Sequence, residues 1–270
     1  MRIFAIGDLH LPGGQDKPMD VFGPGWENHA AKIERAWRER VGPDDLVLMP
    51  GDLSWAMTLE EAADDLAFLG RLPGHVVMIR GNHDYWWSGI GKVRRALPPN
   101  VTALQNDHFP LGERGAICGT RGWILPGTAG FNEEEDTRIV LRELERLRLS
   151  LESARKAGRH PSIVMLHHPP IAAGQRSTGF SQLMEEYGVA LCVYGHLHGT
   201  AAHEKALQGR IGSITYVLVS CDAIGFAPLP LLETGPGGLP EEFKPLPGSP
   251  LAFHRWLSPG GGAGEPGRDG

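Results

Sequence analysis

Asp8 and His10 stand two residues apart, and His196 and His198 repeat that spacing far along the chain. Between them lie Gly51-Asp52, Gly81-Asn82-His83-Asp84 and the pair His167-His168. Carboxylate, amide and imidazole groups offer hard oxygen and borderline nitrogen donors, and no thiolate joins the set. Such donors suit Mn, Fe or Zn better than a soft ion. Taken singly, each block is weak. Asp-x-His and Gly-Asp arise by chance in many chains, and a lone His-x-His is more often incidental than a ligand. The signal lies in their joint occurrence and in what precedes each.

Each block follows a short apolar run: residues 3–6, 46–49, 76–79, 163–166 and 191–194. Runs of this length bounded by Gly or Pro read as buried strands. Polar groups then gather past the carboxyl ends of strands, where open α/β sheets bind their ligands. Helices fill the gaps. Residues 27–40 carry Ala30, Ile33 and Trp37 at helical spacing. Thr58 and Glu61 make a capping box ahead of Ala62, Leu66 and Leu69. The clearest helix covers 133–156, with Asn132 as cap and Val140, Leu144, Leu147, Leu151 and Ala154 as its apolar stripe. Arg155 and Lys156 suit its carboxyl end, Gly158 stops it, and its arginines read as a solvated face. Residues 11–26 are rich in Gly and Pro and follow the first block directly, so they read as a rim or lid. From Ala227 onward Pro and Gly dominate, and 260–270 is expected to be disordered.

The ordered set Asp8-x-His10, Gly51-Asp52, Gly81-Asn82-His83-Asp84, His167-His168 and Gly195-His196-x-His198 resembles the signature of the calcineurin-like metallophosphoesterase superfamily. All five blocks are present, and the resemblance spans about residues 1–225. It implies an α/β fold: a central β-sandwich of two mixed sheets flanked by helices in four layers. The domain would cover 1–226, with 227–270 a C-terminal extension. It also implies two divalent metal ions, Mn first with Fe or Zn as alternatives. One would take Asp8, His10 and His198; the other would take Asn82, His167 and His196; Asp52 would bridge them. His167 is preferred to His168 because the family's histidine follows its strand directly. Two dications against two carboxylates and a bridging hydroxide leave a surplus of positive charge, which attracts a phosphate. The implied reaction is attack of that hydroxide on phosphorus, with the ions about 3.5–4 Å apart. His83 would act as transition-state stabiliser or general acid. Asp84 would either orient His83 or serve as a turn or helix cap.

The substrate implied is a small phosphate ester. Tyr85, Trp86 and Trp87 follow the third block at once. They either stack on a flat substrate group or, as the preferred reading, cover the sheet edge. The run tilts the expectation toward a phosphodiester, with nucleotides and cyclic nucleotides among the candidates. A phosphomonoesterase remains the alternative, as does a non-catalytic scaffold on the same fold. A protein phosphatase is disfavoured, because the second block reads Asp52-Leu53-Ser54-Trp55-Ala56 where those enzymes carry an Asp-Arg pair. Arg121 would contact phosphate or form a structural ion pair. The other histidines, His29, His75, His108, His160, His203 and His254, read as surface or structural groups.

Bulk properties narrow the classes. The 270 residues carry 26 basic and 32 acidic side chains, a formal charge of −6, which argues against clamping duplex nucleic acid. Cys118, Cys192 and Cys221 are odd in number and form no CxxC pair, so reduced buried thiols are expected. The first apolar run is too short for a signal-peptide core, and no run approaches a membrane span. Together these point to a cytoplasmic protein.

Overall fold

A computed structural model describes residues 1–14, 17 and 19–253. The expected disorder over 260–270, and His254, lie outside the described residues. The five apolar runs form strands. They are β1 (Arg2–Ala5), then β2 (Leu46–Met49) after helix α1 (His29–Arg40). Helix α2 (Ala63–Gly70) leads to β3 (His75–Met78), and α3 (Ile90–Ala96) leads to β4 (Val101–Ala103). The chain continues through β5 (Phe109–Leu111), β6 (Gly115–Thr120), α4 (Glu133–Lys156) and β7 (His160–Leu166). It then runs through α5 (Gly179–Glu186), β8 (Leu191–Tyr194), α6 (Thr200–His203), β9 (Gly209–Ile211) and β10 (Ile214–Leu218). Strands β11 (Leu229–Glu233) and β12 (Lys244–Pro245) close the order.

Two six-stranded sheets result, ordered β12-β11-β1-β2-β3-β4 and β5-β6-β7-β8-β10-β9. Both are mixed. β1 to β4 run parallel, as do β6, β7, β8 and β10, and antiparallel strands flank them. The apolar runs are continuous because both faces of each sheet are buried. Alternate residues serve different layers. Ile3, Leu46, Leu48, Val77, Ile163, Met165, Leu191 and Val217 meet between the sheets. Phe4, Val47, Val76 and Met78 face outward against Ile33 and Trp37 of α1 and Leu66 of α2. Val164, Cys192 and Tyr216 face the other way, against Leu147 and Leu151 of α4 and Phe180 of α5. The expected sandwich of two mixed sheets between helices is thus the observed one.

Local signals account for the helix limits. The Asn132 side chain accepts the amides of Glu134 and Glu135, four acidic residues fill the first turn of α4, and Gly158 follows its end at φ 71°. The Thr58 and Glu61 capping bonds form, at 3.2 and 3.3 Å, but they close a turn, and α2 begins only at Ala63. The face of α4 is not wholly solvated. Glu143 is buried, accepts the Thr120 hydroxyl at 2.6 Å, and draws Arg146 to 3.7 Å.

Where it is described, the segment from 227 onward joins the first sheet. β11 pairs with β1 through Arg2, Ile3, Phe4 and Ala5, and Leu231 and Leu232 enter the core between the sheets. Its prolines sit where a flanking strand tolerates them: Pro230 in β11, and Pro245 in the outermost β12. Truncation after residue 226 would uncover one edge of β1 and part of this core. It is expected to abolish cooperative thermal unfolding followed by circular dichroism; a truncated chain melting like the full one would contradict this placement.

Candidate metal centre

The ends of parallel strands from both sheets meet at one edge of the sandwich. Asp8 follows β1, Asp52 follows β2, Asn82 follows β3, His167 follows β7 and His196 follows β8. Backbone bonds join the loops: Asp8 N to Gly51 O at 2.9 Å, His10 N to Asp52 O at 3.0 Å, and Gly195 N to His167 O at 3.1 Å. Asp8, His10, Asp52 and His196 take positive φ, at 57°, 44°, 53° and 75°. Such backbone is costly for residues with a Cβ and persists only where the surroundings over-determine it. Two glycines of the blocks have a steric reason. A Cβ on Gly81 would collide with Asp52 Oδ1, and one on Gly195 with Asp8 Oδ2.

Every donor expected from the sequence arrives at this edge. His10 Nε2 faces His198 Nε2 at 3.2 Å, and Asp8 Oδ1 lies 3.8 Å from His198 Nε2. Asn82 Oδ1 sits 2.5 Å from His167 Nε2 and 2.9 Å from His196 Nδ1. Asp52 Oδ2 lies between the two groups, 3.7 Å from His10 Nε2 and 3.4 Å from His167 Nε2. It is buried with no hydrogen-bond partner. An unpartnered buried carboxylate oxygen costs free energy unless a cation meets it. Three sets of donor atoms lie within 4.8 Å of one another: Asp8, His10, His198; Asp8, Asp52, His167; and His167, His168, His196. The residues present therefore fit divalent cations.

Outer groups hold the rings. His167 Nδ1 lies 2.9 Å from the Pro50 carbonyl, so it donates there and turns Nε2 inward. His198 Nδ1 lies 3.0 Å from Asp222 Oδ1, and Asp222 Oδ2 accepts the Gly199 amide. Asp222 escaped the sequence reading. Its signal was present: Ser220-Cys221-Asp222 follows an apolar run, as the five blocks do. His29 and His203 also touch the surround, at the His10 carbonyl and at Asp222.

His83 stands over the site. Its amide donates to Asp52 Oδ1 at 2.8 Å, its ring lies 5.7 Å from His10 and 4.5 Å from Trp55, and its Nδ1 has no partner. Of the two readings for Asp84, the contact with His83 is not made and the turn cap is. The Asp84 carboxylate is fully buried and accepts the amides of Asp52, Leu53, Ser54 and Gly81 and the Trp86 indole. It ties the second block to the third and acts as the turn-binding group, out of reach of a substrate. The His168 ring lies 4.0 Å from His196 and 5.3 Å from Trp123, with Nε2 unpartnered, so it lines the site beside His167. Trp86 and Trp87 are core residues, at 1% and 3% exposure, while Tyr85 is 48% exposed with its ring 6.0 Å from His83. Arg121 lies 3.4 Å from Glu143 and stacks 4.3 Å from the Trp123 ring, the structural ion pair.

Burial governs the charges. It pushes Asp8 up to about 8 and Asp52 and Asp84 up to about 6. It lowers His167 to about 3 and His196 to about 2, and holds His10 and His168 well below the ordinary value, so these rings are neutral donors. At His198 burial works downward, but the Asp222 hydrogen bond and the charge of Asp8 outweigh it and the net shift is upward.

Two outcomes follow. Asp84→Ala would strand four buried amides and an indole, and is expected to lower unfolding free energy in urea by about 3 kcal/mol or more; unchanged stability would contradict the tying role. The second concerns the cation-free chain. Carboxylates raised on folding oppose it as pH rises through 4 to 8, and histidines lowered on folding oppose it below about 6.5. Stability should peak near pH 6.5 and fall toward pH 8, where Asp8 ionises last. Cations bind the deprotonated donors, so the rise in Tm on adding Mn should be larger at pH 8 than at pH 6.5. An equal rise at both would count against this electrostatic account.

The chain matches the calcineurin-like phosphoesterase family over residues 1–200, and it belongs to that family. It is 33% identical over 84 residues to the gene 66 protein of Mycobacterium phage D29, a stretch covering 31% of this chain and 40% of the phage protein. Two solved structures are similar. One is a protein of unknown function from Aquifex aeolicus, at 14% identity and a TM-score of 0.45, covering 85% of this chain and 95% of that one. The other is a phosphopantetheinyl hydrolase from Mycobacterium tuberculosis, at 18% identity and a TM-score of 0.44, covering 81% and 89%. Among the described residues no helix is long and apolar enough to cross a membrane.

Proposed function

We propose that the chain hydrolyses small phosphate esters with a pair of divalent cations, Mn first, and prefers diesters. One observation carries this reading: Asp52 Oδ2 stands unpartnered between two histidine-bearing groups, within 3.7 Å of both. Asp8, His10 and His198 would hold one cation, Asn82, His167 and His196 would hold the other, and Asp52 would serve both. When bound, the cations polarise the phosphate and supply a nucleophile from water at neutral pH.

The chain's own residues do the rest. Asp222 and the Pro50 carbonyl fix the rings of His198 and His167, so the donors need no rearrangement. Burial at this edge thins the water around the ester and strengthens each electrostatic contact. His83 is lowered by burial against the opposing charge of Asp52, and as a neutral ring it donates N–H to a phosphate or leaving-group oxygen. The case for a diester rests on room for a second organic group, since of the aromatic run only Tyr85 stays exposed beside the site.

The test is turnover of bis(p-nitrophenyl) phosphate and p-nitrophenyl phosphate by the Mn-loaded protein. Activity lost to a chelator, restored by Mn, and higher on the diester is expected. His83→Ala should lower kcat at least about a hundredfold with Mn binding retained. Chelator-resistant turnover, or an unimpaired His83→Ala, would refute the reading.

A further inference from the structure

A cavity of about 440 Å³ opens directly beside the histidine cluster. It shares His168 and His196 with the donor groups, so it borders them directly. The rest of its wall is almost wholly apolar, with Leu125, Ile171, Leu197, Ala206 and Leu207 prominent. Apart from the unpartnered Nε2 of His168, its few polar groups are already committed or peripheral. The Thr128 hydroxyl donates to the Leu125 carbonyl at 2.6 Å, and Lys205 is exposed. Beyond the third block, Trp86 and Trp87 are sealed in the core and offer no such room.

Resting on the phosphoesterase reading above, we propose that this cavity receives an apolar organic group of the substrate, so that the preferred esters are those of aliphatic alcohols rather than nucleotides. The physical reason is the lining. A nucleobase brings a rim of donors and acceptors, and each one buried here unpaired weakens binding. An aliphatic chain meets no such penalty and gains affinity by up to about fourfold for each methylene removed from water. The volume lies within the range of small-molecule pockets, about 300–1,000 Å³, and suits a group of modest length. His168 forms the step between the two compartments. Its ring packs on His196 at 4.0 Å and on Trp123 at 5.3 Å, so the phosphate side and the apolar side meet across it.

The experiment is calorimetric titration of the Mn-loaded protein with methyl-, butyl- and octylphosphonate and with the non-hydrolysable phosphonate analogue of adenosine monophosphate. These probes are not used for turnover, so failure here is separable from failure of the phosphoesterase reading: active protein with a flat series would overturn the cavity assignment alone. Expected is a Kd at least about tenfold lower for octyl- than for methylphosphonate, with a negative heat-capacity change, and no such gain for the nucleotide. Ala206→Trp, which fills the cavity, should shrink the octyl-to-methyl ratio to less than about threefold, with a Tm measured alongside. If that variant does not fold, Ala172→Phe on the same lining serves instead. A ratio untouched by the filling variant, or a nucleotide bound more tightly than octylphosphonate, would overturn the proposal.

Discussion

Two carboxylates, those of Asp8 and Asp52, sit with almost no contact with water and, among the described residues, with no lysine or arginine paired to either. Taking such groups out of water is expensive, and neutral histidines repay little of it. Burial accordingly lifts both above the ordinary carboxylate range. The surrounding design follows from keeping these two groups where divalent cations, as the family implies, can use them. Gly81 and Gly195 lack side chains where the carboxylates pass, and four donor residues hold left-handed backbone that the loop hydrogen bonds enforce.

The sandwich supplies the rigidity for this. Both sheets send the carboxyl ends of parallel strands to one edge, and cross-loop bonds such as Gly7 N to Val219 O, at 2.7 Å, bind one sheet's loops to the other's. No single sheet could assemble the donor set, because Asp8, Asp52 and Asn82 come from one and His167, His196 and His198 from the other. Asp84 adds the local tie between the second and third loops. Asp84 thus serves geometry, while Asn82 and His83 of the same block stay at the donor edge.

Much of this was legible in the residues. Apolar runs ended by polar blocks located five strands and the site edge, because burial on both faces leaves no room for polar alternation. Asn132 and Gly158 marked the ends of α4 through capping alone. Other parts were hidden for physical reasons. β11 is short and proline-bearing, and its pairing with β1 bridges more than two hundred residues, which no local pattern encodes. Asp84 and His83 are adjacent, so the sequence left both a contact between them and a turn cap open, and the turn sends the carboxylate inward to backbone amides. Trp86 and Tyr85 are neighbours with opposite fates, core and surface, and periodicity in a turn does not distinguish them. Asp222 obeyed the same strand-then-polar rule as the recognised blocks, and its role emerged only once His198 was seen to need an anchor.

The most direct test of the central claim is anomalous X-ray diffraction from crystals of the protein grown with Mn. The account predicts two peaks about 3.5–4 Å apart, one among Asp8, His10 and His198 and one among Asn82, His167 and His196, with Asp52 touching both. A single peak held by His167, His168 and His196 away from Asp52, or no peak at this edge, would contradict it.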